Sequence, residues 1–248
     1  MYNLLIAIAA GVVVALLIRV FGFSAWAGII PGVIVFLGAY LLLARRVATR
    51  ITALSTVAQK ELSSAPANKR EQQVKVDKAI KTLEEGLKYE KWQFLVASEI
   101  HAQIGMIKYM VKDFDGAEQH LSKANPRNYM AKAMQAALFF QKKDYARMKE
   151  AFESAVKTGK KESIVWAVYA WCLLQQKEKD AAQSVIARGV EANPSDEKLK
   201  SALTSLQNDK RLKMRPWEPM WWQFGLEAPP MPVMGGGGGG RRVQFVRR

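Results

Sequence analysis

The chain has 248 residues, 50% of them apolar, and carries 37 lysines and arginines against 22 aspartates and glutamates, for a formal net charge of +15. Its single cysteine, Cys172, excludes an intramolecular disulfide and suits a reducing compartment. The apolar residues are unevenly distributed, so the chain divides into segments of different character.

The first segment, residues 1–44, is almost entirely apolar. Arg19 is its only charged residue, and Gly22 and Ser24 mark a break near its middle. One bilayer crossing needs about 20 residues, so this segment is long enough for two. We predict two transmembrane helices, at about 2–21 and 25–44, joined by a tight turn.

A cleaved signal peptide is the alternative interpretation of the first apolar half. The tripeptide Ala25-Trp26-Ala27 has the small-x-small form of a cleavage site, but no lysine or arginine precedes the apolar run. Cleavage there would remove only the first helix and leave the chain anchored by the second. The sequence leaves this cleavage open.

The flanking charges predict the orientation of the hairpin. Arg45, Arg46 and Arg50 follow the second helix, whereas the turn offers only Arg19, whose long side chain can reach the headgroups. Because positive charge stays on the cytoplasmic side, the soluble part and the N-terminus are both expected there. The predicted location is the bacterial inner membrane, as a multi-pass protein.

Residues 45–68 form a predicted amphipathic stalk and linker. Apolar residues recur along it at spacings of three and four: Val47, Ile51, Leu54, Ala58 and Leu62. This period indicates that the second transmembrane helix continues beyond the membrane, until residues 63–68 break it. The stripe suits contact with headgroups through the neighbouring arginines, pairing with another copy, or a simple spacer.

A repeated pattern lies between Ser98 and Pro194. Four columns recur at spacings of 31 and then 34 residues: Gly105, Ala136 and Ala170; Ala117, Met148 and Ala182; Leu121, Phe152 and Ile186; Ala124, Ala155 and Gly189. Each copy has a small residue in a first helix, an acidic residue at a turn, and a small-large-small triplet in a second helix. Small residues let paired helices approach, while large ones fill the space between neighbouring units.

This pattern resembles the tetratricopeptide (TPR) repeat, a helix-turn-helix unit with a usual period of about 34 residues. The third copy matches the family's signature positions best, at Trp166, Ala170, Ala182 and Pro194. The resemblance implies an all-α fold. A transmembrane helical hairpin is followed by a TPR-like α-solenoid over residues 69–208 and by an extended C-terminal tail.

Two further helices are predicted to cap the repeats. Residues 69–88 carry the same small-large-small triplet, beginning at Ala79, and are interpreted as an orphan second helix at the start of the domain. Residues 197–207, with an apolar stripe and Ser195 as the expected N-cap, are predicted to close it.

The TPR resemblance also implies a groove, lined by the first helices, that binds peptides or proteins. The positions assigned to a partner-binding groove are Met106, Tyr109, Met110, Met130, Phe140, Trp171 and Leu174. Methionines and aromatics suit an apolar ligand segment, and packing against the stalk or the tail is the alternative. Ala102, Met106 and Met134 stand where a clamp for chaperone carboxylates needs Lys or Asn, which disfavours that class of partner.

The tail, residues 209–248, combines basic, aromatic, proline and glycine residues. Four aromatics lie within eight residues: Trp217, Trp221, Trp222 and Phe224. Such rings need a surface to bury against, and we hypothesise that they dock on the repeats of their own chain or of a neighbouring copy. The membrane interface and a separate protein are the alternatives. Beyond the glycine run 235–240, the basic terminus would face an acidic protein or anionic lipid through Arg241, Arg242, Arg247 and Arg248.

The sequence gives no support for catalysis. Its two histidines, His101 and His120, form no recognisable metal site or triad with Cys172. The glycine run lacks the strand and helix that flank a phosphate-binding loop. We therefore expect no enzymatic activity and no cofactor.

The charge and the resemblance together predict a membrane-anchored TPR-like adaptor or scaffold that binds protein partners in a membrane-associated assembly. The alternative is an assembly or targeting factor that holds apolar client segments at the membrane. RNA binding is less favoured, because no nucleic-acid fold signature accompanies the basic charge. Self-association stays open.

Overall fold

The computed structural model describes residues 1–64 and 68–228. These residues contain α-helices and short 3₁₀ turns and no strand, which confirms the all-α class. The helices are α1 Tyr2–Val20, α2 Ala25–Ser63, α3 Lys69–Glu84, α4 Val96–Met110, α5 Phe114–Leu121, α6 Tyr129–Gln141, α7 Tyr145–Thr158, α8 Ser163–Gln175, α9 Lys179–Ala192, α10 Glu197–Gln207 and α11 Met220–Gln223. The 3₁₀ turns are Glu85–Tyr89 and Arg215–Trp217. The glycine run and the four C-terminal arginines lie outside the described residues.

Helices α1 and α2 form a hairpin that packs through small residues. A Cβ atom added at Gly11 would lie 2.7 Å from the carbonyl oxygen of Gly32, and one added at Gly28 would lie 2.7 Å from that of Ala15. Four-residue spacing of small residues is typical of close helix contacts in membranes. Both helices are long and apolar enough to cross a bilayer.

Helix α2 continues without a break past residue 44 and packs against the helical domain that follows it. In its second half, Val47 and Ala58 are buried, in one cluster with residues of α3 and α4. The triplet that begins at Ala79 faces this cluster and extends from α3 into the 3₁₀ turn Glu85–Tyr89, where a Cβ added at Gly86 would lie 3.2 Å from Cδ1 of Ile51. The stalk stripe is therefore packed within the chain except at its end, where Leu62 is exposed, and the orphan helix α3 has α2 as its partner.

Three helix pairs, α4 with α5, α6 with α7 and α8 with α9, form the repeats. All twelve positions of the four sequence columns are buried. The large column, Leu121, Phe152 and Ile186, is completely buried in the main core. Gly105 allows α4 and α5 to approach closely, because a Cβ added at this position would lie 2.8 Å from the side chain of Leu121.

At two of the three repeat turns the acidic residue caps the following helix with its side chain, whereas Glu178 makes no such bond. Asp113 accepts a hydrogen bond from the Gly116 amide at 3.0 Å, and Asp144 accepts one from the Arg147 amide at 3.1 Å. A lysine with left-handed backbone precedes each acidic turn residue: Lys112, Lys143 and Lys177, with φ of 66°, 60° and 62°. These lysines share the 31- and 34-residue spacing and form a further column of the repeat.

The closing helix α10 begins at the predicted residue but with a different cap. Ser195 was the expected N-cap, and the structure places Asp196 there instead. Its carboxylate accepts hydrogen bonds from the amides of Lys198 and Leu199, at 2.9 and 3.1 Å. The Asp196 carboxylate accepts both bonds, and its negative charge is favourable at the positive end of the helix dipole. Asp196 is therefore a better N-cap here than Ser195.

Candidate protein-binding groove

The residues predicted to line the groove lie on the first helix of each repeat, as the TPR resemblance implies. Met106, Tyr109 and Met110 belong to α4, Met130 and Phe140 to α6, and Trp171 and Leu174 to α8. Tyr109 and Trp171 are buried, whereas Met110 is 59% exposed. The remaining four pack, partly buried, against the main core.

The aromatic part of the tail covers this surface. The Trp221 ring lies 5.1 Å from the Trp171 ring in an edge contact, and Trp171 in turn lies 5.8 Å from Phe140. Trp221 is 1% exposed and Phe224 is fully buried. Edge-to-face contacts between rings at these distances are favourable beyond the burial of area. The tail thus occupies the centre of the predicted groove.

Hydrogen bonds fix the direction of the tail. The Tyr109 hydroxyl donates to the Phe224 carbonyl oxygen at 2.5 Å, and the Trp217 indole donates to the Ser163 hydroxyl at 3.0 Å. Burial, the largest cause, raises the pKa of the Tyr109 phenol, so it stays a neutral donor. The two bonds hold the segment at opposite ends, one on α4 and one at the start of α8.

Apolar burial stabilises the docked segment more than polar contacts do. Leu212, Met214 and Trp217 join the same core cluster as Trp221 and Phe224. The buried indole nitrogen of Trp221 has no hydrogen-bond partner among the described residues. An unpaired buried donor is unfavourable, so ring packing must outweigh its cost. Of the four predicted docking aromatics, Trp222 is the partly buried one, at the rim.

A cavity of about 450 Å³ remains open at one end of the docked segment. Its lining residues are Trp171, Leu174, Gln175, Lys179, Leu206, Asp209, Lys210, Arg211 and Leu212. Lys179 pairs with Asp209. The cavity therefore joins two predicted groove residues, Trp171 and Leu174, to basic residues at the start of the tail that were not predicted as site residues. These residues meet only because of the path that the chain takes after α10, and no local sequence pattern predicts that path.

A second cavity, of about 340 Å³, lies at the other end of the segment. It is lined by Tyr109, Met110, Lys112, Phe114, Gln141, Trp222, Gln223, Phe224, Gly225 and Leu226. Here the tail itself forms half of the wall. A ligand at this end would contact the tail and the first repeat together.

The two histidines meet although they lie on different helices. His101 Nδ1 and His120 Nδ1 are 3.1 Å apart, which requires one ring to donate and the other to accept. Burial is the largest cause that lowers the pKa of each imidazole. No group of three histidine, cysteine, aspartate or glutamate side chains suited to a metal ion occurs among the described residues. Cys172 is buried, and burial raises the pKa of its thiol.

Comparison with known proteins identifies the repeats. Residues 139–206 match the sequence model of the tetratricopeptide repeat, from the end of α6 through α10. Among solved structures, one described as "MamA RS-1 ArsTM double mutant" is similar at 14% identity and a TM-score of 0.45, over 71% of this chain and 93% of that chain. No curated protein matches the sequence. The type of repeat therefore rests on the sequence match and on the buried frame described above.

Proposed function

Because the helical domain of this chain is a tetratricopeptide-repeat domain, a fold that binds protein partners, we propose that the chain is a membrane-anchored adaptor. The course of helix α2 is the main support for this role. The 39-residue helix α2 begins in the apolar hairpin and ends packed against α3 and α4. A continuous helix without a flexible joint would hold a bound partner at a fixed distance from the bilayer.

The exposed surface of the hairpin supports membrane insertion. Large apolar side chains face outward on both helices, among them Leu16, 58% exposed, and Leu42, 72% exposed. A soluble protein rarely presents a contiguous apolar surface of this extent, whereas lipid tails would cover it. The amides of Tyr2 and Asn3 donate to the carbonyl oxygens of Lys91 and Trp92. The start of α1 and the repeat domain therefore share one side, as two crossings require.

The orientation follows from charge. Arg45, Arg46 and Arg50 stand where α2 leaves the apolar segment. The positive-inside rule places them in the cytoplasm, and with them the repeats and both ends of the described chain. We infer a multi-pass protein of a bacterial inner membrane with a cytoplasmic repeat domain.

The partner is proposed to bind at the two ends of the docked tail rather than at the centre of the groove. At the α8 end, Trp171 and Leu174 provide an apolar floor, and Lys210 and Arg211 provide a basic rim beside the Lys179–Asp209 ion pair. This chemistry fits a protein segment that places an apolar side chain beside an acidic one. The basic terminus, Arg241 to Arg248, would add contacts to acidic protein or anionic lipid.

A client-holding factor would need an open apolar groove, and here the tail fills its centre. That alternative therefore requires the tail to leave. Neither function requires catalysis, and no catalytic role is proposed for the histidine pair.

A photo-cross-linking experiment in cells tests the proposal. A benzoylphenylalanine at Leu174, beside the open cavity, is expected to cross-link a small, fixed set of proteins. The same probe at Val74, an exposed apolar residue of α3, provides the control. Reversing charge with Lys210→Glu and Arg211→Glu should weaken only the Leu174 products.

The pattern of products decides between the functions. Identical products from Leu174 and Val74 would show that this face is not a partner site. A broad range of products that grows when the tail is removed would instead indicate client holding. Nuclease-sensitive products that disappear with salt would indicate RNA.

A further inference from the structure

A short loop before the first repeat presents large apolar side chains to its surroundings. Trp92 is 41% exposed, Phe94 is 60% exposed and Leu95 is 42% exposed. The three lie within four residues, between the 3₁₀ turn Glu85–Tyr89 and α4. An isolated exposed apolar side chain needs no explanation, but a cluster of three in one loop indicates a contact surface.

Hydrogen bonds tie this loop to both helices of the hairpin. The Tyr2 amide donates to the Lys91 carbonyl oxygen at 2.8 Å, and the Asn3 amide donates to that of Trp92 at 3.2 Å. The Gln93 side chain accepts from Asn3 Nδ2 and donates to the hydroxyl of Tyr40 on α2, both at 3.2 Å. The loop therefore lies level with Tyr2 on one helix and Tyr40 on the other.

The length of α1 fixes the depth of this level. Its 19 residues rise about 28 Å at 1.5 Å per residue, close to the roughly 30 Å of the hydrocarbon core. A helix so nearly matched to the bilayer has to begin at the boundary between hydrocarbon and headgroups. The loop supplies acceptors to the first amides of α1, which lack acceptors within the helix. It must lie at the same boundary.

The side chains of the loop suit that environment. Tyr2 and Trp92 meet edge to face with ring centroids 5.4 Å apart, and rings of these two types are enriched where membrane meets water. Lys88 and Lys91 are exposed beside them. Leu95 has a left-handed φ of 68°, which is unfavourable for a residue with a Cβ. The unfavourable backbone conformation of Leu95 can be offset if its side chain makes a favourable contact with a surface.

We propose that the loop of residues 91–95 is a membrane-contact site, in which Trp92, Phe94 and Leu95 insert into the headgroup boundary of the lipid leaflet that α1 enters. This inference rests on the proposed function only in that the hairpin spans a bilayer. The loop adds a third point of contact to the two helices. Three points define a plane, so the loop would set the tilt of the first repeat relative to the membrane.

Lipid-dependent quenching tests this site in the full chain reconstituted in phosphatidylcholine vesicles. An environment-sensitive fluorophore is attached to Phe94→Cys, and lipids carrying a spin label near the headgroup are added as quenchers. The native Cys172 is buried, and a buried thiol is expected to react slowly with the label. Val74→Cys, which has matched exposure on α3, is the aqueous control, and Leu16→Cys, on the outer face of α1, is the lipid control.

We expect lipid quenching and a blue-shifted emission for the label at position 94, and neither for the label at position 74. If the labels at 94 and 74 behave alike while the label at 16 is quenched, the hairpin is inserted and the loop is not a membrane contact. If the label at 16 is also unquenched, the membrane anchor itself is wrong. Trp92→Cys, labelled in the same way, repeats the measurement should the Phe94 variant fail to fold.

Discussion

Small side chains set the spacing of helices throughout the repeat domain. Ala170 of α8 and Ala182 of α9 are both completely buried, in columns that recur in each copy. Interiors of this density have no room for extra atoms, so an added ring must displace backbone. The size of a single side chain at these positions is therefore a structural requirement and not a preference.

The variants Ala170→Trp and Ala182→Trp should each destabilise the chain by about 1–3 kcal/mol or more, because overpacking forces strained rotamers and helix shifts. Lys160→Trp is the control, since that side chain is exposed. Thermal unfolding of the detergent-solubilised full chain, followed by circular dichroism, measures the effect. Equal melting temperatures for all three variants would contradict the repeat register.

The histidine pair couples the stability of the first repeat to pH. His101 and His120 have pKa values below their ordinary 6.5 in the folded chain, mainly because burial disfavours the charged ring. Below pH 6.5 the unfolded chain therefore binds more protons than the folded chain, and folding stability falls as pH falls. Well above pH 6.5 neither state binds these protons, so the pair has no effect there.

We expect the free energy of unfolding to decrease between about pH 7.5 and pH 5, and His120→Gln to flatten this dependence. Hydrogen bonds from Lys108 and Lys142 hold the pKa values of Asp113 and Glu118 below their ordinary 3.8 and 4.5, so these carboxyls also reduce stability as pH falls, but mainly below the range in which the histidines act. Denaturant titrations at the two pH values measure the difference. A slope that is the same in the wild type and in His120→Gln would exclude the histidine pair as its source.

At the scale of elements, the docked tail acts as an additional helical layer on the first helices. Its 3₁₀ turn Arg215–Trp217 and its helix α11 lie between two hydrogen bonds, one from the Trp217 indole to Ser163 of α8 and one from Tyr109 of α4 to the Phe224 carbonyl oxygen. A segment of this length has little structure of its own, because isolated helices shorter than about 12 residues are marginal in water. Its conformation therefore depends on the surface it covers.

Trp221→Ala should release the tail, since removing a large buried ring typically costs about 3–5 kcal/mol. Gln223→Ala, an exposed position in the same short helix, should change stability by no more than about 0.5 kcal/mol. Limited trypsin digestion of the full chain is the readout, because the bonds that follow Arg211 and Lys213 would become accessible in a released tail. Equal cleavage rates in the two variants would show that Trp221 does not hold the segment.

At the scale of the whole molecule, the hairpin and the repeat domain form one connected structure through α2. Ion pairs join successive repeats on the surface, as between Lys142 and Glu118 at 2.7 Å and between Lys149 and Glu178 at 2.7 Å. Exposed pairs of this kind contribute little energy each. The order of the layers thus comes from buried columns and from the continuity of α2.

The proposed topology predicts that both ends of the chain face the cytoplasm. A reporter fused after Arg248 should be active only when it is a cytoplasmic reporter, because Arg45, Arg46 and Arg50 oppose export of the repeat domain. Replacing all three arginines with glutamine should weaken this preference. Periplasmic activity of the original fusion would overturn the orientation and the compartment of the partner.

The sequence by itself predicted those features that depend on regular local spacing. The apolar run before Ala44, with Arg19 as its only charge, predicted two apolar helices, and the stripe from Val47 predicted the continuation of α2. The repeat columns predicted helix pairs whose column residues are buried. Each of these signals is a period of three to four residues or a repeat length, and helix geometry converts such periods directly into faces.

Only the tertiary structure decided what covers each of those faces. The stalk stripe meets α3, the open cavity brings Arg211 near Leu174, and the loop at Trp92 bonds to the first turn of α1. Residues in these contacts lie about 20 to 90 positions apart, and no local pattern records which distant surfaces meet. The aromatic tail shows the difference most clearly: its composition indicates that it must bury its rings, but only the packed shape of α4, α6 and α8 determines where.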